Sequence, residues 1–264
     1  LFGTGDPTAN TTPPVGAWTD SGWRTQTEAA PSATAIARNL LLTARHIGHR
    51  VGDEIRLDGL TYRVQRTSDA PGGDLRMLEV SGRMDSNRIA RLYTGSNELG
   101  RGVVLHGYGL ARGPAVYRDG PLGPELRGWQ WGSSGARLRW GTNVIVGVTN
   151  IAGAGNFILA IFSGNAGRDE ATVSVGDSGG GVFLRDSDGL WKLAGVMTDV
   201  EGPFAASISD EPFHAALFDR RGFLEQESDG TWQQLPETGI EPGTLWMAMR
   251  VSSYQDWISA ELAR

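Results

Sequence analysis

The chain has 264 residues, 39% hydrophobic and 20% charged, enough apolar material for a large core and too little charge for disorder. Its net charge of −6, with no Lys/Arg-rich block against it, argues against nucleic acid as a partner. No run of 18 apolar residues occurs, so no membrane span is expected. With Cys absent, disulfides, thiolate nucleophiles and Cys-ligated zinc are excluded.

The chain starts at Leu1 rather than Met, which implies that a leader or tag has been removed. Asn10-Thr11-Thr12 is a glycosylation sequon, meaningful only in a eukaryotic secretory host. Residues 3–32, rich in Gly, Thr, Pro and Asn, read as an extended arm. Short apolar runs then recur between turn signals, the mark of an all-β fold, and the 38 glycines suit its turns. Ile36 to Ala44 is β-like. Asp58-Gly59 is a two-residue hairpin turn between Ile55–Leu57 and Leu60–Val64. Met77–Val80, Val103–Leu105, Val144–Val148, Asn156–Phe162 and Gly181–Leu184 continue the series. Asp188-Gly189 and Asp229-Gly230 close further hairpins. At the C-terminus, Tyr254, Trp257, Ile258 and Leu262 form one helical stripe, with Ser253 and Asp256 as a capping box.

Gly176-Asp177-Ser178-Gly179-Gly180 is the most informative stretch. A serine between glycines suits a tight turn whose backbone N–H groups converge near Oγ. A plain glycine-rich turn capped by Asp explains it equally well when it is taken alone. G-x-S-x-G also fits the nucleophile elbow of α/β-hydrolases, but that elbow opens a helix, and Gly180-Gly181-Val182-Phe183-Leu184 reads as strand. A serine nucleophile needs a base, and the histidines are His46, His49, His106 and His214. His46 follows the buried run Leu40-Leu41-Leu42-Thr43-Ala44. Asp74, after the turn Ala70-Pro71-Gly72-Gly73, opens another apolar run and suits a semi-buried partner for a histidine. An edge histidine and a strand-capping aspartate are the plain alternatives.

The order His46, Asp74, Ser178 is that of chymotrypsin, not of subtilisin or the α/β-hydrolases. The segments Leu42-Thr43-Ala44-Arg45-His46, Gly73-Asp74-Leu75-Arg76-Met77-Leu78 and Gly176-Asp177-Ser178-Gly179-Gly180 resemble the motifs of the trypsin/chymotrypsin family, in a bacterial-type, cystine-free form. Gly107-Tyr108-Gly109-Leu110 and Trp191 to Thr198 extend the resemblance, which runs from about Ile36 to the C-terminal helix. It implies two six-stranded antiparallel β-barrels: an arm over 1–32, a first barrel over 33–98, a second over 99–250 with a long insertion near 199–245, and a helix over 251–264. It further implies a secreted or periplasmic, monomeric serine endopeptidase that needs no cofactor or metal and acts on protein or peptide. Ser178 would be nucleophile, His46 base, Asp74 its orienter, and the N–H groups of Gly176 and Ser178 the oxyanion hole. Thr198 would offer its hydroxyl to Asp74.

The resemblance places Thr172, six before Ser178, at the floor of the P1 pocket, with Thr198, Asp199 and Val200 along its wall. A neutral floor and a valine wall imply small or medium apolar P1 residues, and Trp246 falls in or near the pocket. Ile47 stands where the family has a half-cystine, Gly181 where it has proline, and Arg45 where it has a small residue. Leu1-Phe2-Gly3-Thr4 faintly resembles the family's mature terminus, which would pair Leu1 with Asp177; the Thr/Pro/Asn-rich stretch behind it favours an unpaired arm. Trp129, Trp131 and Trp140 admit carbohydrate binding or ordinary packing. His49 has no carboxylate spacing to make a metal site with His46, and the hairpin accounts for Asp186 and Asp188 without calcium. The competing functions are a non-catalytic binding protein on a protease scaffold and a self-processing or ester hydrolase.

Overall fold

The computed structural model describes residues 1–239 and 242–264. Its first β-body is a five-stranded antiparallel sheet: β1 (Thr34–Ala37), β2 (Leu40–Ala44), β3 (Glu54–Leu57), β4 (Leu60–Asp69) and β5 (Leu75–Val80), in spatial order β1-β2-β5-β4-β3. The second is a closed barrel of β6 (Gly102–Gly107), β7 (Arg139–Ile151), β8 (Gly155–Ile161), β9 (Gly181–Arg185), β10 (Trp191–Val200) and β11 (Leu245–Arg250), in order β7-β8-β11-β10-β9-β6. The first body thus has five strands and open edges where six in a closed barrel are expected. The arm bridges those edges with single residues: the Thr27 N–H donates to Ala33 O beside β1 (3.0 Å) and the Glu28 N–H to Arg56 O of β3 (2.9 Å).

Every residue of β2 is buried, and the alternation of side chains across a strand explains how an unbroken Leu-Leu-Leu run is used. Leu41 points into the first sheet with Ile55, Leu57, Val64 and Leu78. Leu40, Leu42 and Ala44 face the other way, into a core shared between the bodies with Phe157, Val196, Met249 and Ile258. Ile47, at the half-cystine position, packs against this shared core, so apolar contact stands where a disulfide would. The barrel interior is filled by Val103, Leu105, Ile158, Leu184 and the fully buried Trp246. Truncating Leu42 to Ala should cost about 2–5 kcal/mol, read as a lowered urea midpoint, because the core shared between the two bodies then loses a fully buried side chain.

The Asp58-Gly59 turn forms as read: Leu57 pairs with Leu60, and both turn residues have positive φ (55° and 70°), as a type I′ hairpin requires. The C-terminal helix α1 (Gln255–Leu262) follows a 3-10 turn, Val251–Tyr254, and no side chain caps it, so the Ser253/Asp256 capping box does not form. Its inner face is also shifted from the expected stripe. Leu262 is 43% exposed whereas Glu261 is 4% exposed. Arg66 Nη1 (2.8 Å) and Ser68 Oγ (2.7 Å) donate to the Glu261 carboxylate, and these partners offset the cost of burying it. The helix is thereby tied to β4.

The long segment after β10 folds on itself. Phe204–Ala205, Leu224–Gln226 and Trp232–Gln234 form one small sheet, and Ala215–Leu217 joins the hairpin Arg112–Gly120/Gly123–Trp131 in another. Val116, Phe204, Leu217, Phe223 and Leu235 give this addition its own apolar core. Residues 240 and 241 of this segment lie outside the described residues.

Residues 3–32 make two 3-10 turns, Gly16–Trp18 and Trp23–Thr25, that dock on β6. There His106 is fully buried, with Nε2 2.9 Å from Ser21 O, and burial pushes its pKa down to about 4. Because the folded value lies below the unfolded one, the unfolded chain takes the proton first. Stability from the neutral imidazole is therefore complete above about pH 6.5 and is lost as pH falls toward 4, approaching about 3 kcal/mol. Urea unfolding at pH 7.5 and 4.5 should reveal this loss in the parent and not in His106→Gln.

Candidate active site

His46 sits in the 3-10 turn Arg45–Ile47 directly after β2, and Asp74 directly precedes β5. Ala44 of β2 pairs with Leu75 of β5, so the register of two buried strands sets these side chains opposite each other. Asp74 Oδ1 accepts the His46 backbone N–H (2.8 Å), and Oδ2 lies 2.5 Å from Nδ1. One carboxylate thus fixes both the turn and the ring, leaving Nε2 as the free nitrogen of an imidazole 46% exposed. The hydrogen bond to Asp74 raises the His46 pKa above its usual value; partial burial opposes this, and the charges of Asp74 and Asp199 add to it.

Ser178 lies in the loop before β9 and is partly exposed. Gly176, at φ +90°, adopts a conformation that side-chain-bearing residues avoid. Among the described residues neither the Gly176 N–H nor the Ser178 N–H donates to a protein acceptor, whereas the N–H groups around them are used: Asp177 to Ser174 O, Gly179 to Met197 O, Gly180 to Asp177 O. Two unused donors thus stand two residues apart in the loop that carries the hydroxyl. The two glycines after Ser178 are required by crowding. A Cβ on Gly179 would lie 2.0 Å from Ser32 O and 2.4 Å from Thr43 Oγ1, and one on Gly180 would lie 2.2 Å from His106 O. Since Thr43 is in β2, three residues before His46, this crowding seats the Ser178 loop against the strand that carries the histidine. Among the described residues no hydrogen bond joins Ser178 to His46; such bonds commonly tighten only with substrate.

The remaining expected positions divide. Asp199 is exposed on β10 and its charge reaches His46; Val200 is half-buried and pairs with Trp246 of β11. Thr172 is fully buried, and among the described residues its hydroxyl has no partner. Thr198 does not donate to Asp74: its hydroxyl turns to Met247 O at 3.4 Å, because the register shift in β10 between Met197 and Asp199 turns that stretch toward β11. Trp246 belongs to the barrel core. Gly181 replaces proline with a use for the N–H, which donates to Gln26 Oε1 at 3.1 Å.

The expected loose arm is overturned at its first residue. Leu1 is buried, and its ammonium lies 2.5 Å from Asp177 Oδ2. Phe2–Gly3 adds a short strand to Ala171–Thr172. The Asp177 carboxylate also accepts the Ser174 N–H (2.8 Å) and Oγ–H (2.9 Å) and the Gly109 N–H (2.7 Å). Its room comes from Gly107 and Gly109, where any Cβ would overlap it at 2.1 and 2.5 Å. Burial lowers the pKa of the Leu1 amine, and the charge and hydrogen bond of Asp177 act against that. The signal missed in the sequence was this pair of glycines beside a buried acid.

Other side chains have structural partners. Trp131 stacks on His214 (4.5 Å), Arg112 lies over Trp129 (4.4 Å) and Trp140 Nε1 donates to Thr12 O. Lys192 pairs with Asp186 and Asp188 (2.6 and 2.8 Å). His49 is buried, its Nδ1 3.7 Å from Asp53, and among the described residues no three His, Cys, Asp or Glu side chains cluster as metal ligands do. Nor is any described helix long and apolar enough to cross a membrane.

No protein-family model matches the chain, and no curated protein does. Among solved structures it is similar to neuropsin, a serine protease expressed in the limbic system of mouse brain, with a TM-score of 0.53 at 14% identity over 92% of this chain and 96% of that one. The chain has the trypsin-like fold: a closed six-stranded barrel, a half-barrel sheet and one short C-terminal helix.

Proposed function

We propose that the chain is a serine endopeptidase working outside the cytosol on protein or peptide substrates. The observation that carries this is the His46–Asp74 pair (2.5 Å) on a scaffold whose Ser178 loop holds two unused N–H donors. In this reading Ser178 Oγ attacks the peptide carbonyl while His46 Nε2 takes its proton. Asp74 holds the imidazole with Nδ1 protonated and steadies the cation that forms. The N–H groups of Gly176 and Ser178 receive the oxyanion, roughly 3–4 kcal/mol per donor in comparable sites. His46 returns the proton to the leaving amine, and water repeats the sequence on the acyl-enzyme. Digestion of an unfolded protein substrate tests this: the parent cleaves it, and Ser178→Ala does not.

The base acts as neutral imidazole, and its pKa is raised, so activity falls on the acid side through a value above histidine's ordinary 6.5. Asp199→Asn removes one of the raising charges and should move that acid limb of kcat/KM to lower pH. An unmoved limb means that Asp199 does not sense the base.

For specificity, the buried, uncharged Thr172 offers no carboxylate to Lys or Arg, which supports a small or medium apolar P1 residue with Val200 on the wall. A P1-randomised peptide library should give Ala or Val well ahead of Arg. Faster cleavage after Arg would contradict the assignment of the floor.

A further inference from the structure

A second concavity lies away from His46 and Ser178. It is a cavity of about 590 Å³ between the docked arm, the loop before β6 and the β9–β10 hairpin, a volume within the range that buries small ligands. Arg24, Arg91 and Arg185 line it, with Trp23, Trp191 and a single acid, Asp20. All three arginines are exposed, and among the described residues none has a carboxylate partner. Arg66, Arg76, Arg127, Arg220 and Arg250, elsewhere in the chain, are ion-paired. Asp186 and Asp188, on the same hairpin, are occupied by Lys192. The Arg185 side chain is fixed by a bond from Nε to Gly189 O (2.8 Å).

The indoles are also held from behind. Trp191 leans on Trp18 with centroids 6.0 Å apart, and Trp23 meets His106 edge-on at 5.9 Å. Rigid indole walls suit the apolar C–H face of a sugar ring, and guanidinium groups suit carboxylate or sulfate through paired, charge-assisted hydrogen bonds. An extended peptide joins a free strand edge, but β9 is hydrogen-bonded on both sides, to β6 and β10. We infer that this cavity binds an anionic carbohydrate, a short oligosaccharide whose rings lie on Trp23 and Trp191 and whose carboxylate or sulfate groups meet Arg24, Arg91 and Arg185. The inference does not rest on proteolysis.

Isothermal titration of the full chain with sulfated maltotetraose, tetragalacturonate, maltotetraose and tetraglutamate tests it. At least one of the two anionic sugars should bind, the one that does identifying sulfate or carboxylate as the anionic group, and affinity should fall as salt rises. Maltotetraose and tetraglutamate should bind at least about tenfold more weakly. An Arg24→Gln/Arg91→Gln/Arg185→Gln variant, with all three changes at exposed positions, should keep its melting temperature and lose about 100-fold in affinity. Trp191→Phe, which keeps an aromatic face, should retain most of the binding. The inference is overturned if neither anionic sugar binds, if the triple variant binds like the parent, or if the neutral sugar or the acidic peptide binds as tightly.

Discussion

Adding one residue ahead of Leu1, or changing Asp177 to Asn, is expected to lower kcat/KM by about 100- to 5,000-fold, the effect of losing 3–5 kcal/mol from a buried ion pair deprived of one partner. Asp177 immediately precedes Ser178, and its carboxylate gathers the Leu1 ammonium, Ser174 and the Gly109 N–H. Without the ammonium, a desolvated carboxylate stays behind in a site 0% exposed. The loop must then reorganise to reach water, carrying the Gly176 and Ser178 N–H groups out of line. The loss should appear in kcat rather than KM, because the oxyanion forms only on the reaction path. A variant extended at Leu1 that keeps full activity would show that the ion pair does not hold the loop.

The second large effect is expected at Asp74. In Asp74→Asn the amide can still accept the His46 backbone N–H, so the turn after β2 should persist. The group opposite Nδ1, however, becomes an N–H donor. The ring must then carry its proton on Nε2, the nitrogen required to accept from Ser178, and turnover should fall about 10⁴-fold with little change in melting temperature. Substrate hydrolysis and thermal unfolding of the same sample check both halves of the statement. A fall of less than tenfold would remove Asp74 from the reaction.

Much of the scaffold was readable because local chemistry and tertiary context agree. Asp58-Gly59 has the φ values its turn needs, and the unbroken apolar run of β2 is buried on both faces. The contact between His46 and Asp74 was readable because each adjoins a buried apolar run, and those runs became paired strands. What escaped reading depends on distant partners. The arm looks like loop because its 3-10 turns and polar residues have no periodicity, yet Gln26, Thr27 and Glu28 are held at β1, β9 and β3. The insertion was legible as extra length but not as a subdomain, since its strands are two or three residues long. Glu261 lies off the apolar stripe Tyr254, Trp257, Ile258, Leu262, and it is the Arg66 and Ser68 side chains of β4 that make its burial tolerable. Thr198 was assigned to Asp74 by position, and a shift in strand register sent its hydroxyl elsewhere.

Covalent trapping of the nucleophile bears most directly on the proposed chemistry. The folded chain, beginning at Leu1, is incubated with a fluorophosphonate, and the adduct is located by peptide mass spectrometry. One phosphonylated residue is expected, Ser178, with labelling abolished in Ser178→Ala and strongly slowed in Asp74→Asn. A folded protein that takes up no label, or takes it at a different serine, would contradict it.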